Sequence, residues 1–222
     1  MVALRAVVHL SLRDMQTTAA RIIHNFCPRI DDVRNSALES GFGTWAPNKG
    51  EVGSSIYTGM SFWGKHAYML NALAKAMGQP VFPNNMFFRV SNTDTEKAYV
   101  HSDRESGTHT CVAYLSDHLD EISGTGFYRH KESGLLRMPS FDQLRSMPDF
   151  FEQLKREMVE GTEAQWELMD FVRGEYNKAV IFDAPLFHAR HPKHGIGDTA
   201  ENGRMIWACH FHLMGPNGEL IT

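Results

Sequence analysis

The sequence predicts a mainly β domain with flanking helices, an α+β arrangement in which antiparallel strands form a sandwich or barrel. Three observations carry this. Short β-like runs recur from Met86 onward and are split by turn formers. The regular strand–helix–strand alternation that builds a doubly wound parallel sheet is missing. Helical periodicity is confined to a region before these runs and a stretch between them.

The elements follow in order. Met1–Leu10 is apolar but interrupted by Arg5 and His9, and no small-residue cleavage pattern follows, so it reads as a strand rather than a signal peptide. Arg21–Cys27 reads as a strand. Asp31 or Asp32 caps a short helix over Val33–Ser40, with Gly41 at its C′ position. Gly41–Gly59, rich in Gly, Ser, Asn and Pro, reads as a loop whose Trp45 and Tyr57 pack against or cover something. Trp63–Met77 is the clearest helix: Ala67, Leu70, Leu73, Ala74 and Met77 recur at three- and four-residue spacing, and Gly78 and Pro80 end it. Met86–Val90, Tyr99–His101, Thr108–Leu115 and Gly126–Arg129 are β-like. Ser140–Phe171 returns to helix, with capping-box patterns at Ser140/Gln143 and Thr162/Gln165 and breaks at Pro148 and Gly161. Strands resume at Lys178–Asp183 and Arg204–Leu213. One domain spanning residues 1–222 is expected, with support helices over about 31–78 and a helical insertion over about 140–171.

Composition bounds the function. Of the 222 residues 42% are hydrophobic and 22% charged, ordinary for a soluble globular chain with a full core. The formal net charge of -4 argues against a nucleic-acid partner held by a broad basic surface. No apolar run approaches the roughly 20 residues that span a bilayer, so no membrane partner is expected. Cys27, Cys111 and Cys209 are odd in number and lack a C-x-x-C pair, which fits reduced thiols in a cytoplasm.

The chemistry concentrates at His101-Ser102-Asp103. On a strand or at its exit, alternate residues share a face, so His101 and Asp103 present an imidazole and a carboxylate together. His188, just beyond the apolar run Ala179–Phe182, supplies a second imidazole from a distant strand. Two imidazoles and one carboxylate hold one side of a metal and leave other positions open, the ligand set of non-haem Fe(II) oxygenases. With 12 histidines in the chain some His-x-Asp pairs arise by chance, and His191 and His194 compete with His188 for the third place. His210-x-His212 has the same same-face spacing, but it sits in the apolar run Trp207–Leu213 with no carboxylate beside it, and is read as partly buried or cleft-lining.

The order His101-x-Asp103, His188, Arg204 resembles the 2-oxoglutarate/Fe(II)-dependent dioxygenase superfamily, near its prolyl-4-hydroxylase-like branch. The segments Ala98–Asp103, Cys111–Leu115, Ser123–His130 and Ala179–His188 follow that family's core order, and the match spans roughly residues 84–213. The resemblance implies a double-stranded β-helix (jelly-roll, cupin-like) core, Fe(II) held by His101, Asp103 and His188, 2-oxoglutarate as co-substrate and O2 as oxidant. It also implies that Arg204 anchors the far carboxylate of 2-oxoglutarate through its planar donor fork. The gap from His188 to Arg204 is longer than the family's usual one, with Pro192–Asn202 as the connecting loop, and Arg190 is the alternative anchor. Arg89 and Tyr114, on core strands, are candidates to line the co-substrate pocket. Tyr128, Arg129 and His130 face either substrate or solvent, and Trp45, Tyr57, Trp63 and Trp207 are candidates to cover the cleft.

The implied reaction is hydroxylation of an amino acid, a peptidyl residue or a small metabolite, with release of succinate and CO2. Two other classes fit the same residues: a cupin-type metal enzyme that does not use 2-oxoglutarate, and a non-catalytic β-helix binding domain. Neither the substrate nor the oligomeric state is written in the sequence.

Overall fold

A computed structural model describes residues 20–45, 55–57, 63–93, 99–159 and 163–221. Its elements are β1 (Arg21–Ile23), α1 (Ile30–Ser40), β2 (Gly43–Trp45), β3 (Ser55–Tyr57), α2 (Trp63–Met77), β4 (Val81–Ser91), β5 (His109–Tyr114), β6 (Gly124–His130), α3 (Phe141–Ser146), α4 (Pro148–Val159), β7 (Trp166–Arg173), β8 (Ala179–Asp183), β9 (His188–His191), β10 (Arg204–Met214) and β11 (Leu220–Ile221). The protein is mainly β, with two antiparallel sheets and few helices. The larger sheet runs β1-β8-β5-β10-β4-β3-β2, with β11 pairing β10; the smaller runs β7-β6-β9.

The long strand β10 shows how the sequence builds the layers. Met205, Trp207, Cys209 and Phe211 are buried in the cluster that includes Phe26, Ile30, Val33, Met69 and Leu73 beneath α1 and α2. Ile206 and Ala208, alternating with them, join Val112, Tyr114, Val180 and Phe182 of the larger sheet and Phe127 and Val172 of the smaller. A strand apolar on both faces is what a central strand covered on both sides requires. The outer face of the smaller sheet, through Tyr128, Trp166, Phe187 and Ala189, packs on Leu154 of α4.

α2 matches its expected span, and Ser140 and Gln143 form the expected capping box at α3. Pro148 opens α4, where a missing N–H costs nothing. Other expectations are corrected. Arg21–Cys27 is a strand only to Ile23, since Asn25 takes a positive φ of 50°. α1 begins at Ile30, so Asp31 and Asp32 lie in its first turn, where they favour the helix dipole rather than cap it. The Gly41–Gly59 loop contributes β2 and β3 to a sheet edge. Trp166–Phe171, expected as the end of the helical insertion, is part of β7, because pairing with β6 along Gly124–His130 overrides local periodicity. The Met1–Leu10 strand and the Thr162 cap lie outside the described residues, as do the side chains of Trp45, Tyr57 and Trp63.

Trp207 is buried on the helix side of the larger sheet, away from the space between the sheets, and its Nε1–H donates to Nδ1 of His66 at 2.9 Å. That acceptor needs a neutral imidazole. Burial pulls the pKa of His66 down to about 4, whereas an unfolded histidine titrates near 6.5. Between these values the unfolded chain takes up a proton that the folded chain refuses, so stability falls as pH drops from about 6.5 towards 4. In thermal melts across that window His66→Gln, which keeps an acceptor but does not titrate, is expected to lose less Tm than the wild type.

Candidate metal and co-substrate site

His101 is placed by a single antiparallel bridge to His188 at the start of β9. The His101 N–H donates to the His188 carbonyl at 3.0 Å, and the His188 N–H returns to His101 at 2.9 Å. Two residues on, the Asp103 N–H donates to the Ala184 carbonyl at 2.9 Å. The same-face expectation therefore holds on a very short stretch of pairing. One ligand atom each from His101, Asp103 and His188 lie within 4.8 Å of one another. His188 completes this group, and neither His191 nor His194 enters it.

Both imidazoles are oriented from behind. Nδ1–H of His101 donates to the Tyr99 carbonyl at 2.9 Å, and Nδ1–H of His188 to the Leu186 carbonyl at 2.9 Å. This leaves each Nε2 lone pair facing the Asp103 carboxylate, at 3.6 Å from Oδ1 for His101 and 3.1 Å from Oδ2 for His188. Lone pairs and a carboxylate at this range need a proton or a cation between them. Without a metal the proton serves: burial is the largest influence and disfavours charge on His188, but the Asp103 charge, its hydrogen bond and the Leu186 carbonyl together outweigh it and raise the His188 pKa. Burial likewise acts to raise the Asp103 carboxyl, yet His188, His210 and His101 hold it well below the usual carboxylate range. Carbonyl-anchored imidazoles and one carboxylate are the donor set of a divalent transition metal. His188 is buried and the Asp103 side chain is 11% exposed, whereas the His101 side chain is 48% exposed, which marks the open side of the group.

Arg204 is buried on the inter-sheet face of β10, two residues before Ile206. One guanidinium nitrogen donates to the Gly124 carbonyl at 2.7 Å, the guanidinium lies over the Tyr114 ring at 5.5 Å, and Nε has no partner. Among the described residues it forms no ion pair with a carboxylate. The Tyr114 hydroxyl is shared with Thr125 Oγ1 at 2.7 Å. Arg89, paired with Ile206 across β4 and β10, has a buried Nε with no partner. A guanidinium out of water without a counter-charge costs several kcal/mol, about as much as a folded domain can spare. Arg190, the alternative anchor, instead donates through Nε to the Lys193 carbonyl at 3.2 Å.

Several other candidates fall away from this space. Tyr128 packs on the outer face of the smaller sheet, Arg129 pairs with Glu167, and His130 is sealed under α4 with Nε2 at 2.5 Å from Glu157. His130, Glu132 and Glu157 form a second compact group, but the Gln153 amide already donates to both carboxylates, at 2.6 and 3.0 Å. That network ties α4 to β6. One residue was missed: Nε2 of His210 is 3.2 Å from Asp103 Oδ2. The signal was available, since period two along β10 places Arg204, Ile206, Ala208 and His210 on one face. The carboxylate absent from its sequence neighbourhood comes from across the fold.

Residues 87–211, more than half of the chain, match the family model described as a family of unknown function (DUF6445), and the protein belongs to this family. No curated protein matches. Solved structures share the fold at low identity. The non-haem α-ketoglutarate-dependent carbocyclase SnoK of nogalamycin biosynthesis is 13% identical, with 87% of this chain and 79% of that one covered and a TM-score of 0.51. HygX of Streptomyces hygroscopicus, solved with nickel and 2-oxoglutarate bound, is 15% identical over 93% and 87%, with a TM-score of 0.53. The non-haem α-ketoglutarate-dependent epimerase SnoN of nogalamycin biosynthesis is 12% identical over 86% and 77%, with a TM-score of 0.53. A further HygX structure contains hygromycin B.

Proposed function

We propose that this protein is an Fe(II)- and 2-oxoglutarate-dependent dioxygenase that hydroxylates a small-molecule or peptidyl substrate, with release of succinate and CO2. One observation carries the reading. A carbonyl-anchored His–Asp–His group and a buried arginine with no carboxylate partner among the described residues stand between the same two sheets. Phe127 pairs with His188 and Gly124 with His191, so the arginine's carbonyl partner is offset from the triad by three residues along β6, about 10 Å. The strand order β8-β5-β10-β4 facing β7-β6-β9 agrees with a double-stranded β-helix core. The prolyl-4-hydroxylase-like placement rests on the order of sequence segments alone.

In this reading His101 and His188 bind Fe(II) through Nε2 and Asp103 through its carboxylate. When bound, Fe(II) with 2-oxoglutarate and O2 supplies the oxidising power to break a substrate C–H bond. The chain does the rest. Tyr99 and Leu186 carbonyls fix the imidazole tautomers. Arg204 grips the distal carboxylate of 2-oxoglutarate, and Tyr114 and Arg89 line that pocket. The apolar cluster of Val112, Phe127, Val180 and Ile206 keeps water from the chemistry. The half-exposed side of His101 admits the substrate. The bound hygromycin B in HygX supports a small molecule as substrate. A cupin-type enzyme without 2-oxoglutarate gives no role to the buried Arg204 guanidinium, nor does a structural domain without a ligand.

The test needs no substrate. Mn(II) with N-oxalylglycine, an inert 2-oxoglutarate analogue, at about 100 times its Kd adds about 2.7 kcal/mol of stability, a Tm rise of roughly 5–10 °C for a chain this size. Either component omitted should cancel most of the shift, and no shift with both would sink the reading. Succinate release that depends on Fe(II) and 2-oxoglutarate is the catalytic counterpart. Tyr114→Phe, which removes the hydroxyl beside Arg204, is expected to raise the KM for 2-oxoglutarate by about tenfold, the value of one hydrogen bond to a charged ligand, and to change kcat little.

A further inference from the structure

Asp103 sits in the irregular segment between the His101 bridge and β5, the least regular part of the proposed metal group. Its carboxylate is nevertheless surrounded on one oxygen. Thr110 Oγ1–H donates to Oδ2 at 2.9 Å, and Nε2 of His210 lies 3.2 Å from the same oxygen. Thr110 and His210 are direct partners across β5 and β10, and β10 is held on its other side by β4. The His210 ring packs edge-on to Phe87 at 5.9 Å between centroids and is buried. His210 is not a member of the three-residue ligand group. Its Nδ1 is buried without a partner, so the ring's contact with Asp103 is the polar interaction that accounts for an imidazole at this place.

We propose that His210, together with Thr110, is the positioning residue of Asp103: a donor pair on the rigid centre of the larger sheet that holds Oδ2 and turns Oδ1 towards His101. This rests on the metal reading above for its functional meaning, but the contact itself does not. Such a partner sets the orientation of a ligand carboxylate and is worth about 10–100-fold in metal affinity. The contact also requires a proton on Nε2 of His210, since the carboxylate only accepts.

Two measurements on the full chain test it. Co(II) titration, with the visible spectrum of the bound ion recorded, is expected to show about 10–100-fold weaker binding and an altered spectrum in His210→Phe, with partial rescue in His210→Gln and a smaller loss in Thr110→Val. Thermal melts of the metal-free variants report folding; should His210→Phe fail to fold, His210→Gln and Thr110→Val carry the comparison. Folded variants with wild-type affinity and spectrum would overturn the proposal. In metal-free wild type, 15N NMR of the imidazoles is expected to show His210 protonated at Nε2, and a neutral Nδ1–H tautomer would overturn it equally. Failure of the wild type to take up Co(II) would count against the metal reading, while the NMR result would still decide the contact.

Discussion

Asp103→Ala is expected to abolish metal uptake and all 2-oxoglutarate turnover while leaving a folded protein. The carboxylate is the negative charge between two imidazole nitrogens and a third nearby, so its loss removes the charge that draws a dication there. Outer partners of ligands are worth about 10–100-fold, so loss of a ligand itself should weaken binding by more than about 100-fold. Asp103→Asn separates charge from shape. It keeps an oxygen for the Thr110 hydroxyl yet should bind metal almost as poorly as the alanine variant. Calorimetric titration with Mn(II) or Co(II), alongside circular dichroism, checks both. Metal binding near wild-type strength in a folded Asp103→Ala protein would remove the site from these residues.

Arg204→Met carries the second large effect and pulls in two directions. Loss of the guanidinium should weaken 2-oxoglutarate binding by at least about 100-fold, from the roughly 3–5 kcal/mol lost when one partner of a buried ion pair is removed. Metal affinity should stay as it was. The ligand-free protein should melt at the same temperature or higher. Desolvating the guanidinium costs several kcal/mol per ion, more than the single bond to the Gly124 carbonyl returns at about 1.5–3 kcal/mol. Arg204→Lys keeps the charge without the fork and should rescue only part of the binding. Weaker binding together with a higher ligand-free Tm marks a residue kept for its ligand rather than for the fold. A strongly destabilised Arg204→Met with unchanged 2-oxoglutarate affinity would mark the arginine as structural.

The parts of the fold legible in the sequence are those set by local pattern. α2 shows in its three- and four-residue spacing and its Gly78 stop, α3 in the Ser140–Gln143 box, β10 in its mostly apolar run from Met205. The parts missed are set by pairing across the chain. β2 and β3 are three residues each, too short for any period, and exist because β4 offers an edge. β7 carries exposed Leu168 on a strand whose partner is remote in sequence, so its residues look helical until β6 is beside them. The site divides the same way. His101-x-Asp103 and Arg204 announce themselves by type and strand position, and His188 by its place just beyond the apolar run Ala179–Phe182, although it opens a separate strand, β9, that the sequence does not show. His210 reads from the sequence only as partly buried or cleft-lining, for lack of a neighbouring carboxylate, although period two along β10 puts it on the same face as Arg204. Tyr128 and His130 were candidates because they sit on a core strand, but on β6 it is Thr125 and Phe127 that face the larger sheet.

The most direct measurement is a crystal structure of the protein soaked with Mn(II) and N-oxalylglycine, with the ion located by anomalous scattering. One strong peak is expected, bounded by Nε2 of His101, Nε2 of His188 and the Asp103 carboxylate, with the far carboxylate of the analogue against the Arg204 guanidinium. A peak at His130, Glu132 and Glu157 with none at the first group, or an analogue lying away from Arg204, would contradict it.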